Sequence, residues 1–277
     1  MKKNGGKILS LSLAAGLVLC GGALAGCSSD GGYTLDTPGD VYSFAAATSA
    51  AMLSGGAAQS ADGGQIAVGL NKYIIVPECV VGRQTPTVAE ADADSEFSSV
   101  MTMSYKTLGG ETVECELLYS ETSDGGSSAL RGEITANGSV YTVTGETALI
   151  DGGGTAVSVV TANGDDKIEF SCLTTDGGQQ ISYGIYDDGA LADEMSMTLS
   201  ISDGKTILDM ETEIMGAEAR FSMTCDKNAG SFDIACEIGG LSGSVNVSVS
   251  DGAYTYTVNG ASSDFDRCFG FNLDSAA

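Results

Sequence analysis

Met195-Ser196-Met197-Thr198-Leu199-Ser200-Ile201-Ser202 alternates apolar and small polar residues without a break and runs into Asp203-Gly204. Side chains of a strand point alternately to opposite faces, so this run puts methionine, leucine and isoleucine on one side and hydroxyls on the other. The Asp-Gly that follows tolerates positive φ at little cost, which a tight hairpin requires. The same signature recurs along the chain. Met101, Met103 and Tyr105 alternate with Thr102 and Ser104; Val113, Cys115, Leu117 and Tyr119 alternate with Glu114 and Glu116, and Leu118 interrupts the polar face. Ile168, Phe170 and Cys172 keep the period, as do Phe221, Met223 and Cys225, then Phe232, Ile234 and Cys236, then Val245, Val247 and Val249. Turn signals stand between the runs at Gly109-Gly110, Asp124-Gly125, Asn137-Gly138, Asp151-Gly152, Asn163-Gly164, Asp176-Gly177 and Asp251-Gly252. The pattern predicts about twelve strands joined by short turns, an antiparallel meander over residues 97–260. A loose echo of Ile134–Gly145 in Val249–Gly260 reads as shared hairpin chemistry rather than duplication.

Upstream the period is helical. Thr37 can cap, Pro38 suits a first helical position and Asp40 completes a capping box. Val41, Phe44, Ala45, Thr48 and Met52 then share one face, and Gly55-Gly56 stops the run. A second helix is predicted from Gln65 to Val76, with Ile66, Leu70, Tyr73 and Ile74 on one face and Pro77 ending it, although Tyr73-Ile74-Ile75-Val76 reads equally as a strand. The helical segment is 37–82, followed by an acidic link at 83–96 and, beyond the strands, a tail at 261–277. Each strand offers one apolar face that something must cover. The expected fold is therefore mainly β, a curved antiparallel meander packed on one or two N-terminal helices, with a closed β-barrel as the alternative. An outer-membrane barrel should carry aromatic girdles, and aromatics make up only 6% of the chain.

The 277 residues carry 12 Lys+Arg against 37 Asp+Glu, a net charge of −25, with no His and no Trp. So few cations cannot neutralise a phosphate backbone, which excludes nucleic acid as a partner. The absence of His removes Ser-His-Asp and Cys-His catalysis and imidazole-ligated zinc.

At the N-terminus, Lys2, Lys3 and Lys7 precede a mostly apolar run from Ile8 to Leu19, too short to span a membrane comfortably. Leu24-Ala25-Gly26-Cys27 follows. These residues resemble the lipobox of bacterial lipoproteins. The resemblance implies a signal peptide at 1–26, cleavage before Cys27, and a diacylglycerol on its thiol. Two acyl chains suffice for stable anchoring, so the expected location is the cell membrane or envelope, lipid-anchored and extracytoplasmic. Residues 27–36 would be the lipidated cysteine and a polar tether. Loss of the leader removes three lysines and no acid, taking −25 to −28, a charge that favours solubility and repels anionic headgroups.

Six cysteines remain beyond Cys27: Cys79, Cys115, Cys172, Cys225, Cys236 and Cys268. Four lie on apolar strand faces, where a thiol acts as a small hydrophobe. Cys79 and Cys268 flank the meander and are the preferred single bridge. Asp92, Asp94 and Glu96, with Asp165-Asp166 and Asp187-Asp188 in turns, invite a calcium reading. Phe97 stands where an EF-hand loop needs glycine, and solvated turn carboxylates are favoured. Tyr73, Tyr119, Tyr141, Tyr183, Tyr254 and Tyr256 read as packing rather than sugar platforms. No catalytic, cofactor or metal residues are assigned, and no enzyme is expected. The expected function is a non-enzymatic surface or envelope interaction module, and the residues do not identify its protein partner or hydrophobic ligand. The alternative is a carrier of a hydrophobic small molecule or lipid between sheet and helices, a plan shared by lipid-carrying envelope lipoproteins at the level of fold. Its soft lining would be Met101, Met103, Met195, Met197, Met210, Met215 and Met223; core filling is the favoured account of these methionines.

Overall fold

Two helices and fourteen strands follow one another without interruption in the computed structural model, which describes residues 35–54, 65–108, 110–150, 154–175, 178–203, 205–214, 216–225, 231–250 and 253–259. The helices are α1 (Pro38–Leu53) and α2 (Gln65–Gly82). The strands are β1 (Thr87–Glu90), β2 (Ser99–Lys106), β3 (Thr112–Asp124), β4 (Ser127–Ala136), β5 (Ser139–Leu149), β6 (Thr155–Asn163) and β7 (Asp166–Thr175). They continue as β8 (Gly178–Asp187), β9 (Ala190–Ser202), β10 (Lys205–Ile214), β11 (Ala217–Cys225), β12 (Ser231–Ile238), β13 (Leu241–Ser250) and β14 (Ala253–Asn259). Every strand pairs antiparallel with its sequence neighbours, and the sheet runs β1 to β14 in order. This is the expected meander, open rather than closed into a barrel.

The turns work as their residues dictate. Asn137 (φ 51°) and Gly138 (φ 77°) join β4 to β5 with Ala136 opposite Ser139, the two-residue hairpin that needs positive φ at both centres. Ser250 stands opposite Ala253 across the β13–β14 connection, as Ala136 stands opposite Ser139 across that of β4–β5.

The sheet curls around the helix pair. α1 lies against β2 through β7, whereas α2 touches β2 at one end of the sheet and β10 and β11 towards the other. The capping box of α1 is complete, with Thr37 Oγ1 accepting from Asp40 N at 3.1 Å and Asp40 Oδ2 accepting from Thr37 N at 3.0 Å. α1 is not amphipathic, because every residue from Val41 to Ala51 is buried. A helix with strands on several sides has no solvent face, and Ala45, Ala46, Ala47, Ala50 and Ala51 let the backbone approach them closely.

Pro77 does not end α2 either, since the helix continues to Gly82. Proline forfeits the bond to the Tyr73 carbonyl, yet the turn beyond it is held by tertiary contacts. Cys79 and Val80 are buried, and the Leu108 N–H donates to buried Glu78 at 2.8 Å. The acidic link supplies a strand of its own, β1, exposed at all four residues. At the other boundary, the backbone of buried Leu35 is gripped by the Gln179 amide at 3.1 and 2.7 Å, so the fold takes hold inside the expected tether.

Candidate functional site

The sheet's inward face is buried in one core with the helices. Met101, Met103, Met195, Met197, Met210 and Met223 are each at most 6% exposed and belong to one core with Phe44, Phe170 and Phe221. They fill core space as expected; Met215 lies outside the described residues. Polar ties fix the helices at several depths. The Tyr42 and Thr147 hydroxyls are 2.5 Å apart, and those of Thr48 and Tyr183 are 3.0 Å apart. Tyr73 donates to Asp193 and accepts from Thr212 at 3.1 Å. Burial and the neighbouring Asp193 carboxylate both push the Tyr73 phenol well above its ordinary range.

What remains for contact is the outward face. The strand register aligns its side chains into a row that no local reading reveals. Ser158 on β6 stands opposite Ser171 on β7, Ser171 opposite Ser182 on β8, and Ser182 opposite Ser196 on β9. Glu146 on β5 and Glu211 on β10 close the row at its two ends. The Ser171 and Ser182 hydroxyls are 2.7 Å apart. Small side chains between larger ones leave shallow grooves. One of about 740 Å³ runs over Ser171, Ser182, Gly184 and Ser196 and is edged by Glu169, Glu194, Glu211, Glu213 and Glu218. A second, about 570 Å³, lies under the tip of the β3–β4 hairpin and includes Glu146 and Ser158.

The charges around the larger groove are partly matched. Lys167 Nζ sits 2.5 Å from Glu169 Oε1 and 4.3 Å from the Tyr186 ring centroid, while the Tyr186 hydroxyl donates to Glu169 Oε2 at 3.0 Å. The Lys167 and Tyr186 bonds lower the Glu169 pKa, and the Lys167 ammonium is raised by Glu169 in return. Both therefore stay charged at neutral pH. Arg220 pairs with Glu211 at 3.2 Å and Glu218 at 2.5 Å. These are satisfied pairs on a solvated face.

The residues singled out from the sequence are distributed as follows. Cys27 and Cys268 lie outside the described residues. Cys79, the other half of the expected bridge, is a buried thiol, as are Cys115, Cys172 and Cys236. Burial raises the pKa of Cys115 and Cys172 to about 11 and of Cys236 to about 12, which makes them structural thiols rather than nucleophiles. Tyr73, Tyr119, Tyr141 and Tyr183 are buried packing, and the side chains of Tyr254 and Tyr256 fall outside the description. The acidic turns are brought together only in part. Asp166, Asp187 and Asp188 place carboxylate oxygens within 4.8 Å of one another, where the β6–β7 and β8–β9 turns meet. The Asp188 N–H donates to Asp166 Oδ1 at 2.9 Å. Glu96 instead pairs with Arg131 at 3.2 Å.

No protein-family model, curated protein or solved structure matches the chain.

Proposed function

We propose that this chain is a lipid-anchored, extracytoplasmic interaction module that makes contact through the outward face of its sheet and catalyses no reaction. The observation that carries the reading is the division of labour between the two faces. The inward face is buried in one core with α1 and α2, while the outward face presents a grooved, hydroxyl-rich surface edged by carboxylates. Loops and faces that a rigid scaffold leaves free are where binding residues gather. The lipobox residues Leu24–Cys27 support the anchor, and the strong negative charge supports a body held off the membrane surface.

The test is made in a bacterial host fed an alkyne-bearing fatty acid. The full chain is expected in the membrane fraction carrying the label, and Cys27→Ser is expected to lose both. A photoreactive residue at Ser182 is expected to give discrete adducts with an envelope component. Replacement of Ser171 by Leu, which fills the groove without touching the core, should abolish them. Unlabelled wild-type chain would defeat the anchor, and adducts indifferent to Ser171→Leu would defeat the face. Stoichiometric non-covalent lipid released by mild organic extraction would replace this reading with that of a carrier.

A further inference from the structure

The two ends of the sheet are guarded differently. β1 is four residues long, follows Pro86, ends on Glu90 and runs straight into Asp92, Asp94 and Glu96. Shortness, proline and charge are the devices by which natural sheets discourage a further strand. β14 has none of them. Its sequence Ala253-Tyr254-Thr255-Tyr256-Thr257-Val258-Asn259 holds no charge and no proline, is rich in residues that favour strands, and pairs along its whole length with β13. Among the described residues no strand covers its other edge. β13 carries no charge either. β6 is likewise uncharged, but it is enclosed between β5 and β7. In a chain of net charge −25, β13 and β14 thus form a neutral strip along an edge that no described strand covers, where like-charged bodies can approach with least repulsion.

We infer that β14 is a pairing edge and that its occupant is β14 of a second copy, antiparallel about a two-fold axis. The pairing goes beyond the function proposed above and does not depend on it. A two-fold contact needs a segment complementary to itself, and the added strand must bring no charge to this strip. β14 meets both conditions. With the axis at Tyr256, Thr255 of one copy stands opposite Thr257 of the other on the outward face. There both residues are exposed, and cross-strand threonine pairs are favourable.

The test uses the full chain in intact cells, expressed as two differently tagged copies with a photoreactive residue replacing Thr257. Illumination is expected to give a band of twice the chain's mass that carries both tags, and the same probe at Val88 on β1 is expected to give none. Thr255→Glu and Thr255→Lys should each lower the yield at least tenfold, since either puts like charges near the axis, while thermal unfolding stays unchanged. Several results would overturn the pairing. They are no doubled band, a band of another mass carrying one tag (a different partner), cross-links confined to residues 260–277 of the same chain, or a yield unmoved by both Thr255 variants.

Discussion

The guanidinium of Arg83, just past the end of α2, is paired with the carboxylate of Asp40 in the first turn of α1. The same carboxylate closes the α1 capping box, and Arg83 also donates to Ser43 Oγ at 3.1 Å. One acid therefore starts a helix and locks the helix pair. Asp40→Ala is expected to cost about 3 kcal/mol, because it opens the cap and strips a carboxylate from a guanidinium only 9% exposed. Thr37→Ala, which touches the cap alone, should cost about 1 kcal/mol. Urea unfolding of the two variants would show whether the order holds.

Two glycines hold helices and sheet at contact distance. A Cβ on Gly82 would lie 2.0 Å from the Lys106 carbonyl oxygen, where α2 meets β2. That atom is backbone and cannot swing aside, so Gly82→Ala should cost about 3 kcal/mol by forcing the helix end off the strand. A Cβ on Gly145 would meet the Tyr42 ring at 2.6 Å. The ring can tilt, but only by giving up its bond to Thr147, and about 2 kcal/mol is expected for Gly145→Ala. Thermal melts of both variants measure the difference.

Two buried hydroxyls, those of Ser49 and Thr161, have no hydrogen-bond partner among the described residues. Each is desolvated without compensation, so removing it relieves a cost instead of incurring one. Thr161→Val keeps the shape of the side chain, and Ser49→Ala removes one atom. Both are expected to leave stability unchanged or raise it by up to about 1 kcal/mol. A clear loss in urea midpoint for both would show that the sites are satisfied in solution.

The buried thiols set an alkaline limit. In the unfolded chain they ionise near their ordinary value of 9, whereas in the fold Cys115 and Cys172 wait until about 11 and Cys236 until about 12. Between those values the unfolded state binds fewer protons than the native one, so stability falls as pH rises. Below pH 9 both states are protonated and the thiols contribute no pH dependence. Melting temperature is therefore expected to drop steadily from about pH 9 upward, and more gently in a Cys236→Ala variant when each is measured against its own value at pH 8. At pH 8 these thiols should resist alkylation until the chain is unfolded.

The strands and their turns were legible because both signals are local. Alternation over a few residues, as in Met195–Ser202, needs no partner to be read, and Asn137-Gly138 carries its own preference for positive φ. The cap at Thr37 was legible for the same reason. The strand at Thr87–Glu90 was not, because four exposed residues show no periodicity and are held in place by their pairing with β2. Nor was the passage of α2 through Pro77, where the local penalty is outweighed by what the next turn buries.

By itself the sequence determined which residues face in and which face out, how the meander turns, and the charge that the body carries. Only the tertiary structure decided that α1 would be buried on every side, since its surroundings come from strands far along the chain. It also decided the row from Glu146 through Ser158, Ser171, Ser182 and Ser196 to Glu211. A strand's own pattern places each serine on a face. Which serines become neighbours depends on register, the summed result of every turn and bulge between them.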